Sequence, residues 1–310
     1  MVHDCEMQCN SILHAVETNG GDAVVEPVHE SAPLAKWVAD RLCRIDPKTG
    51  ESCAWYHGFR QYLRALGLAI TPAHHAGFLR DSMASFVGQG DRLRVLISGA
   101  IDYSMFAHVL WACRRGGAVA DVTVVDVCET PLFLNQWYAR RIGGRVRTVR
   151  ASILEFDEPA GFDLICTNSF FGQFSPAQRP PLMARWHALL TPHGRVITVT
   201  PFRPGHAAEM VGFTREEAGA LREAVRASAH RVNEAFDLET GELERLADAF
   251  TARMRVHPVR SIHEIRRLFE EAGFTLDHLT SGPISDDHAQ LSGPTVSRLA
   301  EYAMVVARRP

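Results

Sequence analysis

The chain has 310 residues, 46% hydrophobic and 22% charged, with a formal net charge of −3 at pH 7. That length accommodates a full α/β core plus an added subdomain. The basic residues form no block, which argues against a nucleic-acid platform and a polybasic membrane patch and leaves a small-molecule substrate as the expected partner. No run approaches the ~18 apolar residues of a bilayer span, and the first six residues lack the basic and apolar regions of a signal peptide. Seven scattered cysteines, an odd number, fit reduced thiols in a cytoplasmic protein better than a disulfide framework. Oligomeric state is left open.

Residues 1–30 are polar, with Asn19-Gly-Gly-Asp22 as a breaker, and read as a loosely ordered arm. Cys5 and Cys9 near His3 and His14 lack a second Cys-x-x-Cys pair, so no metal site is expected there. Helical periodicity begins near Pro33, with Leu34, Trp37, Val38 and Leu42 at three- and four-residue steps. A second helix is predicted over 53–66, with Trp55, Phe59, Tyr62, Leu63 and Leu66 on one face. A third covers 73–88 and starts at Thr71-Pro72. Residues 1–90 thus read as a helical N-terminal cap.

From 92 the period changes. Short apolar runs at 94–98, 122–126, 146–151, 164–168 and 196–201 alternate with helical stretches at 103–116, 130–142 and 177–190. That alternation implies parallel strands joined by right-handed crossovers. Residues 205–258 interrupt it with a charged, alanine-rich helical segment lacking any strand pattern. Ser261-Ile-His-Glu264 reads as a capping box for a helix stopping at Gly273. Two final apolar runs, 274–280 and 301–308, have no helix between them and must pair antiparallel. The expected fold is therefore α/β: a doubly wound, mostly parallel seven-stranded sheet over 91–310, with an antiparallel last strand and a helical insertion.

The loop Gly99-Ala-Ile-Asp-Tyr103 follows the first strand, and Asp126 ends the second. A glycine turn and an acidic strand end in this relation suit an adenosine, the carboxylate accepting bonds from ribose hydroxyls. With Phe162-Asp-Leu-Ile-Cys-Thr-Asn168, the turn Leu189-Leu-Thr-Pro-His-Gly-Arg-Val196 and the last strand pair, residues 92–310 resemble the class I S-adenosylmethionine-dependent methyltransferases. The resemblance implies S-adenosylmethionine as co-substrate and in-line methyl transfer to a small acceptor, with no metal. By position, Gly99 and Ala100 would turn around the methionyl end, and Asp126, Val127 and Cys128 would meet ribose and adenine. Ser152 and Ile153 would flank the adenine ring, while Asn168, Ser169 and Phe170 would face the sulfonium. Asp126 as a helix N-cap and Asn168 as a turn former are the packing alternatives.

The loop departs from the family pattern, with Ile97 at the usual acidic position and Ile101 and Tyr103 at later glycine positions. Asp102 could replace the missing carboxylate, and Tyr103 could lie over the methionyl arm or simply pack. Asn135, on the apolar face of the helix after Pro131, needs a partner: a cofactor or substrate group, or a backbone carbonyl. Phe170 and Phe171 offer an aromatic wall at the reacting group. Asn135, Asn168, Phe171 and Tyr103 are the expected catalytic positions, and His206, His257, His263 and His108 the candidate bases. The same features also resemble S-adenosylmethionine cyclases, in which the cofactor's own amine attacks its γ-carbon and methylthioadenosine leaves. A third reading is a non-catalytic S-adenosylmethionine-binding protein.

Overall fold

The computed structural model describes residues 24–310 apart from 46–49, 87, 89, 91, 205–206, 233–235, 237, 284–292 and 295–300. The expectations for the arm up to residue 23 and for His206 lie outside the described residues. Helix α1 (Val28–Leu42) begins five residues before Pro33, which sits inside it. Helix α2 (Ala54–Ala65) follows, and a 3-10 turn (Pro72–His75) leads into α3 (Ala76–Ala84). The α/β part then runs β1 (Arg92–Ser98), α4 (Ser104–Arg115), β2 (Val119–Asp126), α5 (Glu129–Arg141), β3 (Arg147–Arg150), β4 (Phe162–Asn168), α6 (Arg179–Leu189) and β5 (Leu190–Phe202). Beyond it come β6 (Val211–Gly212), α7 (Arg215–Ser228), α8 (Thr240–Arg253), β7 (Arg255–Val256), α9 (Ile262–Glu271), β8 (Thr275–Pro283) and β9 (Glu301–Arg308).

Seven strands form one sheet in the order β3-β2-β1-β4-β5-β9-β8. The first five are parallel, and β9 runs antiparallel to both β5 and β8. This is the doubly wound α/β sheet with an antiparallel last strand that the sequence predicts. Val95, Leu96 and Ile97 of β1 are all buried because helices cover both faces of the central strands. One face packs Val95, Ile97 and Val124 against Phe106, Val109 and Leu134 of α4 and α5. The other packs Leu96, Ile165 and Val196 against Trp186 of α6 and Phe269 of α9. Ser261 Oγ accepts the Glu264 amide at 3.1 Å, so α9 starts where its capping residues place it.

The N-terminal helices and the 205–258 segment share a third core. Phe59 and Leu63 of α2 and Leu66 just beyond it share this cluster with Leu221 and Val225 of α7 and Leu243 and Phe250 of α8. One correction concerns this insertion, where no strand pattern is expected. Val211 and Gly212 pair antiparallel with Val256 and Arg255, a ladder too short to show a two-residue period. No described helix is long and apolar enough to cross a membrane.

His75 lies 5.2 Å from the Tyr302 ring, and its Nε2 is buried without a hydrogen-bond partner among the described residues. Burial, helped by the neighbouring His74, lowers its pKa to about 4. An unfolded histidine titrates near ~6.5, so below that pH the unfolded chain gains a proton that the fold refuses. His75 therefore adds stability above about pH 6.5 that is lost progressively toward pH 4, roughly 3 kcal/mol at full span. Urea unfolding from about pH 7 to 5 should show a steeper loss for the natural protein than for His75→Phe. Parallel curves would contradict this assignment.

Candidate functional site

Strand β1 lies between β2 and β4, so the chain reverses its winding there and leaves a crevice at the strands' C-terminal ends. A cavity of about 540 Å³ opens at this crevice. Gly99, Ala100 and Ile101 line it after β1, and Asp126, Val127 and Cys128 line it after β2. Ser152 and Ile153 contribute from beyond β3, and Asn168, Ser169 and Phe170 from the end of β4. The fold thus brings ten of the twelve expected cofactor-binding positions to one cavity. Asn168 Oδ1 is buried without a hydrogen-bond partner among the described residues, which leaves an acceptor at the end of β4.

Two local constraints shape the floor. Gly99 adopts φ +73°, and a Cβ there would come within 2.1 Å of the Phe170 ring. Only glycine allows both the left-handed turn and the aromatic lid that packs on it. Asp126 acts as a clamp: Oδ2 accepts the Ala100 amide at 2.9 Å, and Oδ1 accepts the Cys128 amide at 2.7 Å. Burial raises the Asp126 pKa, with the two backbone N–H groups pulling it back.

Four expected site residues face away from the cavity, and for Tyr103 and Asn135 the packing and backbone alternatives describe what they contact. Asp102 is buried; its Oδ1 accepts the Ser104 amide, and its Oδ2 accepts Gln61 Nε2 at 2.5 Å and Arg64 Nη1 at 2.8 Å. Arg64 also pairs with Glu26 at 2.7 Å, making a buried Glu26–Arg64–Asp102 network. Tyr103 stacks on Tyr138 at 4.7 Å, and its hydroxyl lies 3.0 Å from Ser31 Oγ. Asn135 donates to the carbonyls of Asp102 and Pro131, so backbone satisfies its amide nitrogen rather than a ligand. Phe171 packs edge-on against Trp186 and Phe269 in the core. None of the four lines the cavity. The loop that departs from the glycine pattern is a docking surface for the N-terminal helices, which position after a strand alone does not reveal.

The cavity's outer wall comes from residues with weak sequence signals. Trp55, Tyr56 and His57 reach it from the first turn of α2, as do Arg253 and Met254 from the end of α8. Arg60, Arg203 and Tyr302 also line it and are all at least nine-tenths buried. Arg60 donates to the Ile70 carbonyl at 2.5 Å, and Arg203 Nε to the Pro294 carbonyl at 3.1 Å. Burial pushes the Arg203 guanidinium below its usual range. Neither arginine has a carboxylate partner among the described residues.

Of the proposed bases, His108 is buried beside Glu26, and His257 is bonded through Nδ1 to the Glu209 carbonyl. Neither they nor His263 line the cavity. His57 does, and it sits among sulfurs. The expectation of no metal rests on linear spacing, yet folding gathers Cys43, Cys53, His57 and Cys128 into a group whose ligand atoms lie within 4.8 Å of one another. Cys53-x-x-x-His57, one helical turn apart, is the fragment of that signal visible in sequence. Hydrogen bonding from Cys43 and Cys53 pulls the Cys128 thiol well below its ordinary pKa, while hydrogen bonding with Cys128 and Cys53 pushes Cys43 up.

No family model matches the chain, and no curated protein does. Among solved structures, it is similar to Burkholderia thailandensis 1,6-didemethyltoxoflavin-N1-methyltransferase with bound 1,6-didemethyltoxoflavin and S-adenosylhomocysteine. Identity there is 20% and the TM-score 0.48, over 93% of this chain and 92% of that one. It is similar as well to an S-adenosylmethionine-dependent methyltransferase of Methanosarcina mazei, at 12% identity and TM-score 0.46, covering 78% and 99% of the two chains. The cyclase SpnF aligns at 13% identity and TM-score 0.46, covering 75% and 80%. These distant likenesses assign no residue a role; the fold rests on the strand order.

The Gly99–Phe170 contact is testable. Gly99→Ala should cost roughly 2–4 kcal/mol in urea unfolding, from left-handed strain plus the displaced ring. Adding Phe170→Ala should return part of that loss, and strictly additive effects of the two substitutions would refute the contact.

Proposed function

We propose that this chain is an S-adenosylmethionine-dependent transferase that moves a methyl group to a small molecule by in-line displacement. The observation that carries the reading is Asp126, a carboxylate at the C-terminal end of β2 that lines the cavity beside the Gly99 turn. A carboxylate offers about four acceptor sites, and two are used by backbone amides. The remaining two can take ribose hydroxyls. Adenine would lie between Val127 and Ile153, and the sulfonium would lie near Asn168 and the Phe170 face, which attracts positive charge.

The residues present suit that reaction without a protein nucleophile. In-line transfer requires alignment of nucleophile, carbon and sulfur and the exclusion of water. Trp55 and Tyr56 from α2 and Met254 beyond α8 would exclude water by covering the cavity's open side. We further propose that α1 and α2 act together with α7 and α8 of the 205–258 insertion as this cover, because these helices share one core. Among the described residues Arg60 and Arg203 are buried cations without a carboxylate partner, so an anionic group, either the methionyl carboxylate or one on the acceptor, would be the complementary ligand.

Cyclisation of the cofactor is the second reading. Its motivating residues were the 99–104 loop, Asn135 and the Phe170–Phe171 pair. Packing against the N-terminal helices accounts for Asp102 and Tyr103, two backbone carbonyls take the Asn135 amide nitrogen, and core packing accounts for Phe171. Methyl transfer therefore stands first, and localisation in the cytoplasm fits the reduced thiols.

Two experiments test these assignments. Asp126→Asn should weaken S-adenosylhomocysteine binding by about 1–3 kcal/mol, through loss of charge-assisted hydrogen bonds. Unchanged affinity by calorimetry would remove the ribose assignment. Incubation with S-adenosylmethionine alone, read by mass spectrometry, separates the chemistries. Methyl transfer predicts no methylthioadenosine and S-adenosylhomocysteine only when an acceptor is added. Methylthioadenosine without acceptor would establish cyclisation instead, and binding without either product would leave a non-catalytic binding protein.

A further inference from the structure

Three thiols and one imidazole converge from separate parts of the chain. Cys43 immediately follows α1, Cys53 precedes α2, His57 lies in its first turn, and Cys128 precedes α5. The Cys43–Cys128 and Cys53–Cys128 sulfur separations are both 3.6 Å. A disulfide requires about 2.05 Å between sulfurs. A tetrahedral zinc with Zn–S bonds of about 2.3 Å sets its sulfurs about 3.8 Å apart. The spacing fits the second arrangement and not the first.

The surroundings point the same way. His57 and Cys128 are buried, Cys43 and Cys53 half-buried, and no carboxylate belongs to the group. His57 Nδ1 is buried with no hydrogen-bond partner among the described residues. Thr130 Oγ1 lies 3.2 Å from Cys43 Sγ, where a hydroxyl can donate to a metal-bound thiolate. Soft sulfur ligands with one imidazole select zinc over the oxygen-seeking cations.

We propose that Cys43, Cys53, His57 and Cys128 hold one zinc ion in a closed four-ligand site. Each thiol releases its proton to solvent on binding and no electron moves, so no redox partner is involved. With all four positions supplied by protein, the ion's role is structural. It would fasten the N-terminal helices to the loop that follows Asp126, whose Oδ1 accepts the Cys128 amide. The site would exist whether or not the cavity binds S-adenosylmethionine, so the two readings fail independently.

The test uses the full chain, purified reduced, without a histidine tag, from zinc-supplemented medium. Elemental mass spectrometry should find about one zinc per chain. Replacing zinc with cobalt in the natural protein should produce the visible bands of a tetrahedral thiolate site, a readout that needs no variant. Cys43→Ser and Cys128→Ser should lose most of the metal, while Cys113→Ser and the double change Cys5→Ser, Cys9→Ser should keep it. Absence of stoichiometric zinc, a cobalt spectrum without thiolate-to-metal absorption, or zinc that departs with Cys5 and Cys9 would overturn the proposal. So would a Cys43–Cys128 disulfide persisting under those reducing conditions.

Discussion

One carboxylate ties the cavity together. Asp126 binds the Ala100 amide with one oxygen and the Cys128 amide with the other, fixing the loop after β1 to the loop after β2. The first of those loops must turn left-handed at Gly99, and the Phe170 ring fills the space that a side chain there would need. The loop after β4 is thereby seated on the loop after β1. Three separate strand ends are held in register by contacts within a few residues of Asp126. A ligand entering the crevice meets a preformed floor, which lowers the ordering cost of binding.

The same loop explains how the N-terminal helices are held. Asp102 and Tyr103 stand where a glycine-rich loop would leave bare backbone, and both turn toward α1 and α2 instead of the cavity. Arg64, almost fully buried, is balanced by Asp102 and Glu26. Charges so far from water are stable only when paired, and loss of one partner strands the others. Such a network discriminates strongly between the docked arrangement and any displaced one. The residues at 102 and 103 and the docking of the N-terminal helices are thus two aspects of one packing solution.

The parallel sheet was legible because its central strands are uninterrupted branched runs, such as Val95-Leu-Ile97, bounded by turns. The final antiparallel pair followed from the missing helix between its strands. That Asp126, Ser152 and Asn168 reach the crevice was legible for the same reason, since each lies at or just beyond a strand's end. Side-chain direction in an irregular loop was not. Nothing in Asp102-Tyr103 states which way it turns, and Asn135 reads alike whether it bonds a ligand or the Pro131 carbonyl. The β6–β7 ladder has two residues per strand, too few for alternation. The thiol group draws on positions as far apart as Cys43 and Cys128, and only the Cys53 and His57 pair is local.

A crystal structure with S-adenosylhomocysteine bound tests the central claim most directly. The account predicts both ribose hydroxyls within hydrogen-bonding distance of Asp126, adenine against Ile153, and sulfur beside Asn168 and Phe170. A nucleoside bound outside this crevice, or one whose ribose leaves Asp126 bonded to its two backbone amides alone, would contradict it.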